Sequence, residues 1–308
     1  VNALGVVEMM LAATLRMSAP IILAGLGGLL SFRIGMLNIA LEGMMLIGSF
    51  TAVLVSYFTG SGYLGMLAAG FLGGVLGYLF ALFNLKFKAH NIIAGVAVNT
   101  LALGLTTYFL RTFFGVRGAF SSPKIAGLPV FRLPGLEAVP VLRAFSGQSV
   151  LVYVSISLVL LLHYILYQTP AGLRIRAGGR HPMAVVTAGV NLERLKYIVL
   201  IASGVLSGLG GAHLSLGQLT MFSENMTNGR GFIAMAATIF GQNTPLGTLG
   251  ASLVFGFADA LTMRLQTYNF PPFLIQMGPY VLTLVTLVLV VQSTAGRGRT
   301  RLAGRLPQ

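Results

Sequence analysis

Charge is what this sequence has least of. Only 8% of its 308 residues are charged, and the acidic ones number 6. A water-soluble chain carries about 25% charged residues. So few could not give a 32.5 kDa particle a hydrated shell, and the mean hydropathy of +0.86 agrees. Cysteine is absent, which excludes disulfides, thiolate metal sites and cysteine nucleophiles. Tryptophan is absent as well, so anchoring at a membrane interface falls to tyrosine. With 4 histidines and 6 acids there is little material for a metal cage or a carboxylate pair, and no metal site is expected. The sequence contains no Walker-type phosphate loop, no HExxH and no GxSxG. It therefore reads as neither an ATPase nor a hydrolase, and not as an enzyme.

Apolar residues make up 56% of the chain, and glycine occurs 40 times. Membrane helices use glycine freely because it lets backbones approach. The fold class that follows is an all-α polytopic membrane protein. Crossing about 30 Å of hydrocarbon takes about 20 apolar residues. Stretches of that kind lie near 6–32, 36–58, 63–85, 89–110, 148–167, 197–219, 244–266 and 270–292. A shorter apolar stretch, Gly231 to Gly241, reaches roughly 16 Å at about 1.5 Å per residue, which marks a half-helix or re-entrant segment. The expectation is about eight spans plus a half-span, in one transmembrane domain covering 1–308. No cleavable signal peptide is expected, because the start lacks a basic region and Arg16 interrupts the first apolar run.

A net charge of +14 would suggest nucleic acid in a soluble chain. Here the basic residues sort into loops, as the positive-inside tendency requires, and no nucleic-acid partner is expected. The tail arginines (Arg297, Arg299, Arg301, Arg305), the 168–196 connection, Arg33, Lys86 and Lys88 fall on one side, read as cytoplasmic. Arg111, Arg117, Lys124, Arg132, Arg143, Arg230 and Arg264 fall on the other. That places the amino terminus outside. The outer connection 111–147 is punctuated by Pro123, Pro129, Pro134 and Pro140. The inner connection 168–196 carries a short helical pattern, AVVTAGV, flanked by bases. It suits either docking by a cytoplasmic partner or rest on anionic membrane lipid.

Two stretches read alike. Asn38 to Phe50 and Asn225 to Phe240 each hold an asparagine, then a charged residue before glycine (Glu42-Gly43, Arg230-Gly231), then a small-residue apolar run, and each follows a glycine-rich span. They would enter the membrane in opposite senses. An inverted repeat results, with halves at about 11–110 and 197–292 and a passage site at their interface. The candidate path residues are Asn38, Glu42, Asn99, His213 and Arg230. Intramembrane acids are costly and are either functional or paired. Glu42 reads as a helix-start carboxylate or as an acceptor for substrate hydroxyls. Asp259 reads as a helix–helix contact or a substrate group, with no evident basic partner apart from Arg264 nearby in sequence. His213 and Asn99 read as cross-helix hydrogen-bonding residues or as path lining. Arg16 is expected to pair with Glu8 or to snorkel.

The blocks LNIALEGMMLIG, KAHNIIAGVAVNTLALGLT, TPAGLRIRAGGRHPMAVVTAGV, SGLGGAHLSL, MTNGRGFIAMAATIFG and PLGTLGASLVFGFADAL resemble, in order and over nearly the whole chain, permeases of ABC importers for nucleosides and simple sugars, the branched-chain amino acid/ribose/nucleoside type. The resemblance implies a multi-pass subunit of the cell membrane without cofactor of its own. Its implied partners are a second permease (the same or a related chain), two cytoplasmic ATPases that bind the ATP, and an extracytoplasmic binding protein. The family's GLRxRAxG pattern is matched by Gly172, Leu173, Arg174, Arg176, Ala177 and Gly179. It implies that 174–189, including Pro182, Ala184 and Gly189, receives ATPase motion. Two departures touch substrate identity: Gln242 and Asn243 follow Gly241 where relatives carry tryptophan, and His213 stands where an aromatic is expected. An ion-coupled secondary transporter using Glu42 or Asp259 is the alternative, and it leaves the GLRIRAGG segment without a role.

Overall fold

A computed structural model describes residues 3–132 and 142–265. Ten α-helices run in chain order: α1 Ala3–Arg33, α2 Leu41–Thr59, α3 Gly62–Leu85, α4 Asn91–Phe114, α5 Val150–Gln168, α6 Pro170–Arg180, α7 Pro182–Thr187, α8 Leu192–Ala212, α9 Arg230–Phe240 and α10 Pro245–Leu265. A π-helical segment, His213–Leu219, continues α8. Seven of these helices are long and apolar enough to cross a membrane, and α9 is a shorter apolar helix of 11 residues. The eighth expected span, 270–292, and the tail arginines lie outside the described residues.

Local chemistry sets the boundaries. The stretch expected from 36 becomes helical only at Leu41. Gly35 is left-handed at φ +83, and the Asn38 Oδ1 accepts from the Ala40 N–H at 3.0 Å in an Asx turn. α8 begins earlier than its apolar run, because the Asn191 side chain caps the Arg194 N–H at 2.9 Å. The inner connection holds two helices instead of one. Pro182 opens α7, and the residue before a proline is pushed out of the helical region, so His181 sits at φ −137, ψ 72 between α6 and α7. Thr169 caps α6, and Gly189 at φ +77 closes the turn after α7.

The fold has two ends. At one, Glu8 pairs with Arg143 at 3.9 Å, and the Ser56 hydroxyl donates to the Ala126 carbonyl at 2.7 Å. Two short antiparallel pairings, β1 (Ala119–Ser121) with β4 (Met221–Ser223) and β2 (Val130–Phe131) with β3 (Gln148–Ser149), tie the long connection down there. At the other end Gly35 rests on Gly179, bringing α6 against the end of α1. α2 and α8 are largely buried, whereas α4 and α5 lie at the periphery. The most extensive seam joins α3 to α8. A methyl group placed on Gly73 would meet the Gly204 carbonyl, and one on Gly208 the Ala69 carbonyl, so the two backbones touch. Small residues at four-residue spacing give this approach.

Candidate functional site

Two helices begin inside the bundle. The backbone before α2 turns at Gly35–Ala40, and residues 224–229 descend irregularly from β4 to α9. Asn225 and Asn228 take left-handed conformations at φ 56 and 43, and Gly229 at φ 83, residue types that tolerate that region. Irregular backbone at membrane depth is tolerated where protein surrounds it, and Met226 and Thr227 are buried. With this entry the short α9 segment crosses from the β4 end to the α6 end. There the Asn243 carbonyl accepts from the Arg33 Nε–H at 2.7 Å.

Every helix start leaves backbone N–H groups without intrahelical partners, and neither α2 nor α9 has a local side-chain cap. Distant residues supply both. Asn99 on α4 accepts from the Gly43 N–H at 2.8 Å and donates to the Ile39 carbonyl at 3.0 Å. Glu42, in the first turn of α2, accepts from the N–H groups of Gly229 at 2.8 Å and Gly231 at 2.6 Å. One 8% exposed carboxylate therefore sits against the positive ends of two helix dipoles. Asn38 adds a third tie, donating to the Ser203 hydroxyl of α8 at 3.0 Å. A Cβ on Gly231 would fall 2.5 Å from the Glu42 Cα, so the contact requires glycine. The two charged-residue-plus-glycine motifs that look alike in sequence thus meet in space.

Arg230 stands in the first turn of α9, where a cation opposes the dipole. Its Nε lies 3.8 Å from the Asp259 carboxylate of α10. Asp259 thus has a basic partner, 29 positions away in sequence instead of on a neighbouring turn. The pair is too long for a hydrogen bond and is held by charge.

His213 lies apart from this node. Pro20 in the middle of α1 has no N–H to give the carbonyl four residues earlier, which is that of Arg16. That carbonyl is satisfied from α8, by the His213 Nε2 at 3.1 Å and by the Gln218 Nε2 at 2.8 Å. A carbonyl only accepts, so Nε2 carries the imidazole proton and Nδ1 accepts from the Ser149 hydroxyl at 3.1 Å. The imidazole is wholly buried. The Arg16 side chain is exposed, and Glu8 pairs with Arg143 instead of Arg16.

Of the sequence candidates, Asn38, Glu42, Asn99 and Arg230 converge at the α2 and α9 starts, and His213 does not join them. Arg174 on α6, Pro182 and Ala184 on α7 and Gly189 in the turn after it are exposed, and Met183 beside them is 76% exposed. Arg176 and Gly179 face inward, Arg176 with its guanidinium 5.1 Å from the Tyr167 ring centroid. Sequence reasoning missed Arg33 and Tyr167. An arginine at the end of a long apolar helix, followed by glycine, was the available signal for the first. Among the described residues no cluster of three histidines or acids could hold a metal.

A polytopic helical bundle with discontinuous helices, polar contacts at their starts and an exposed pair of short helices at one end, the first of them basic, has the architecture of a membrane permease. The family described as branched-chain amino acid transport system / permease component matches residues 10–291, and the chain belongs to it. It is similar to the guanosine ABC transporter permease protein NupQ of Bacillus subtilis, with 38% identity over 92% of each chain. It is also similar to the nucleoside ABC transporter permease protein NupC of Lactococcus lactis, with 31% identity over 94% of each. A solved chain titled "PsaBC from Streptococcus pneumoniae in complex with Fab" matches with TM-score 0.50 and 13% identity over 89% of each chain, a likeness of fold. The protein is a multi-pass ABC-importer permease subunit of the cell membrane, not an enzyme. It works with ATPase and substrate-binding partners.

Proposed function

We propose that this permease conducts nucleosides, paired with a second permease chain, powered by two cytoplasmic ATPases and fed by an extracytoplasmic binding protein. The observation that carries the substrate class is the full-length similarity to the guanosine permease. Alternating access would come from rocking of two pseudo-repeats, about 11–110 and 197–292, with Asn38, Glu42, Asn99, His213 and Arg230 along or beside the path. The exposed faces of α6 and α7 would receive the ATPases, which bind the ATP themselves. Ion coupling fits less well: the Glu42 carboxylate is engaged by two backbone N–H groups and Asp259 faces Arg230, so a titrating carrier group would first have to break a structural contact.

The test is uptake of radiolabelled nucleosides and simple sugars into vesicles, with this chain alone and with its partner subunits. Nucleoside uptake that requires the ATPases and survives a protonophore is the expected result. Uptake of sugars alone would move the substrate class. Uptake by the chain alone, abolished by a protonophore, would overturn the ABC reading.

A further inference from the structure

At the α6 end of the bundle, one side chain holds three elements together. Arg33, the last residue of α1, donates from Nε to the Asn243 carbonyl just beyond α9 at 2.7 Å, and from Nη2 to the Tyr167 hydroxyl at the end of α5 at 3.0 Å. The ring of Tyr167 is shared: the Arg33 guanidinium lies 6.0 Å and the Arg176 guanidinium of α6 5.1 Å from its centroid. Backbone contact reinforces the link, since a methyl on Gly179 of α6 would strike the Arg33 carbonyl. A simple cap for α1 would need only a cation. Here the planar fork of arginine serves two acceptors on two different elements, which lysine's single ammonium does not reproduce.

We infer that Arg33 and Tyr167 form a relay by which displacement of α6 is passed to the half-helix α9. The inference rests on the reading that α6 and α7 receive the ATPases. α6 cannot move against α1 without moving Arg33 or the Tyr167 ring. Arg33 in turn holds the carboxyl end of α9, a rigid rod of about 16 Å. The other end of that rod is held by Glu42 through Gly229 and Gly231, so motion entering at α6 arrives at the node where the path residues converge. Two buried groups along the relay, the Arg176 Nε–H and the Asn243 Oδ1, have no hydrogen-bond partner among the described residues. Unspent buried groups are what an element with a second arrangement would show.

The absence of cysteine makes the test clean, because introduced cysteines are unique in this chain. Spin labels would be placed at Phe232→Cys on α9 and Phe71→Cys on α3, both exposed, in the complete importer reconstituted with its ATPases. The label distance is read with and without ATP, alongside ATP hydrolysis. ATP is expected to shift the distance. Tyr167→Phe, which keeps the ring and removes one hydroxyl, and Arg33→Gln are expected to cut the shifted population about tenfold while hydrolysis persists, the scale of one charged hydrogen bond. The double variant should be no worse than the more severe single one. An undiminished shift in both variants, or multiplicative losses in the double, would overturn the relay. So would a parallel loss of hydrolysis and assembly in Tyr167→Phe, which would mark a merely structural contact. Met183→Asp separates the premise from the inference. If it leaves ATPase association intact, the α6–α7 docking reading fails. If it abolishes association but the shift survives Arg33→Gln, the relay alone fails.

Discussion

The α3–α8 seam and the α9 half-helix are joined to the rest of the bundle in opposite ways. The seam is backbone against backbone: Gly73 faces Gly204, and Gly208 faces Ala69. Its contacts are van der Waals in kind and numerous. α9 is held at its two ends by polar contacts from residues about two hundred positions away, Glu42 at the start and Arg33 at the finish. Such contacts are few, directional and exchangeable. On the relay inferred above, one region stays fixed and the other moves as a unit, the division of labour that a permease with a gated path requires.

The contrast can be broken most sharply at the seam. Gly208→Val drives a branched side chain into backbone that cannot yield, and should destabilise by about 3 kcal/mol or more. Loss of monodisperse protein on gel filtration in detergent is the expected readout. At the moving element the effect should be smaller. Glu42→Gln replaces one of two acceptor oxygens with a donor that faces an N–H, and should cost about 2 kcal/mol, read as a lowered midpoint of thermal unfolding with the bundle still assembled. If Gly208→Val were tolerated and Glu42→Gln were not, the assignment of rigid and mobile regions would be reversed.

His213 sharpens the comparison on the first helix. His213→Phe should cost about 1 kcal/mol, because Gln218 still serves the Arg16 carbonyl. In a Pro20→Ala background α1 regains its own donor, so the penalty should shrink, and a double-mutant cycle in denaturant measures the difference. Asp259→Asn should cost less than about 1 kcal/mol, given a 3.8 Å pair with both side chains partly exposed. Combining it with Arg230→Gln should give less than the sum of the two losses. Gly104, where an added Cβ would meet open space, supplies the lower limit: Gly104→Ala should leave expression, stability and uptake unchanged.

Seven of the spans were readable because each is a long apolar run with few charges, and the short helix α9 because its run is too short to cross alone. The polar residues inside the spans were readable too, since an ionisable group in such a run stands out. Their partners were not. Glu42 was expected either to serve its own helix start or to face a substrate, and it caps a helix 187 positions further on. Asp259 looked unpaired until folding brought Arg230 to it. The inner connection, where one short helical pattern was expected, holds two helices because Pro182 acts on the residue before it, a local rule that the apolar pattern hides. Pro20 carried the clearest unused signal: a proline inside a membrane helix orphans a known carbonyl, and a donor elsewhere must answer it.

Composition and the lengths of the apolar runs alone pointed to a chain that lives in a bilayer, located seven of its spans, and picked out the few polar residues within them. Burying about twenty apolar residues per span is a local, additive requirement, and it is written locally. Only the tertiary structure decided which helix starts face each other, which carbonyl receives His213 and how Arg33 joins α1, α5 and α9. Those pairings depend on where two distant backbones come to lie. That is set by glycine-to-glycine approach along the seams, a sum over many weak contacts that no single stretch of sequence contains.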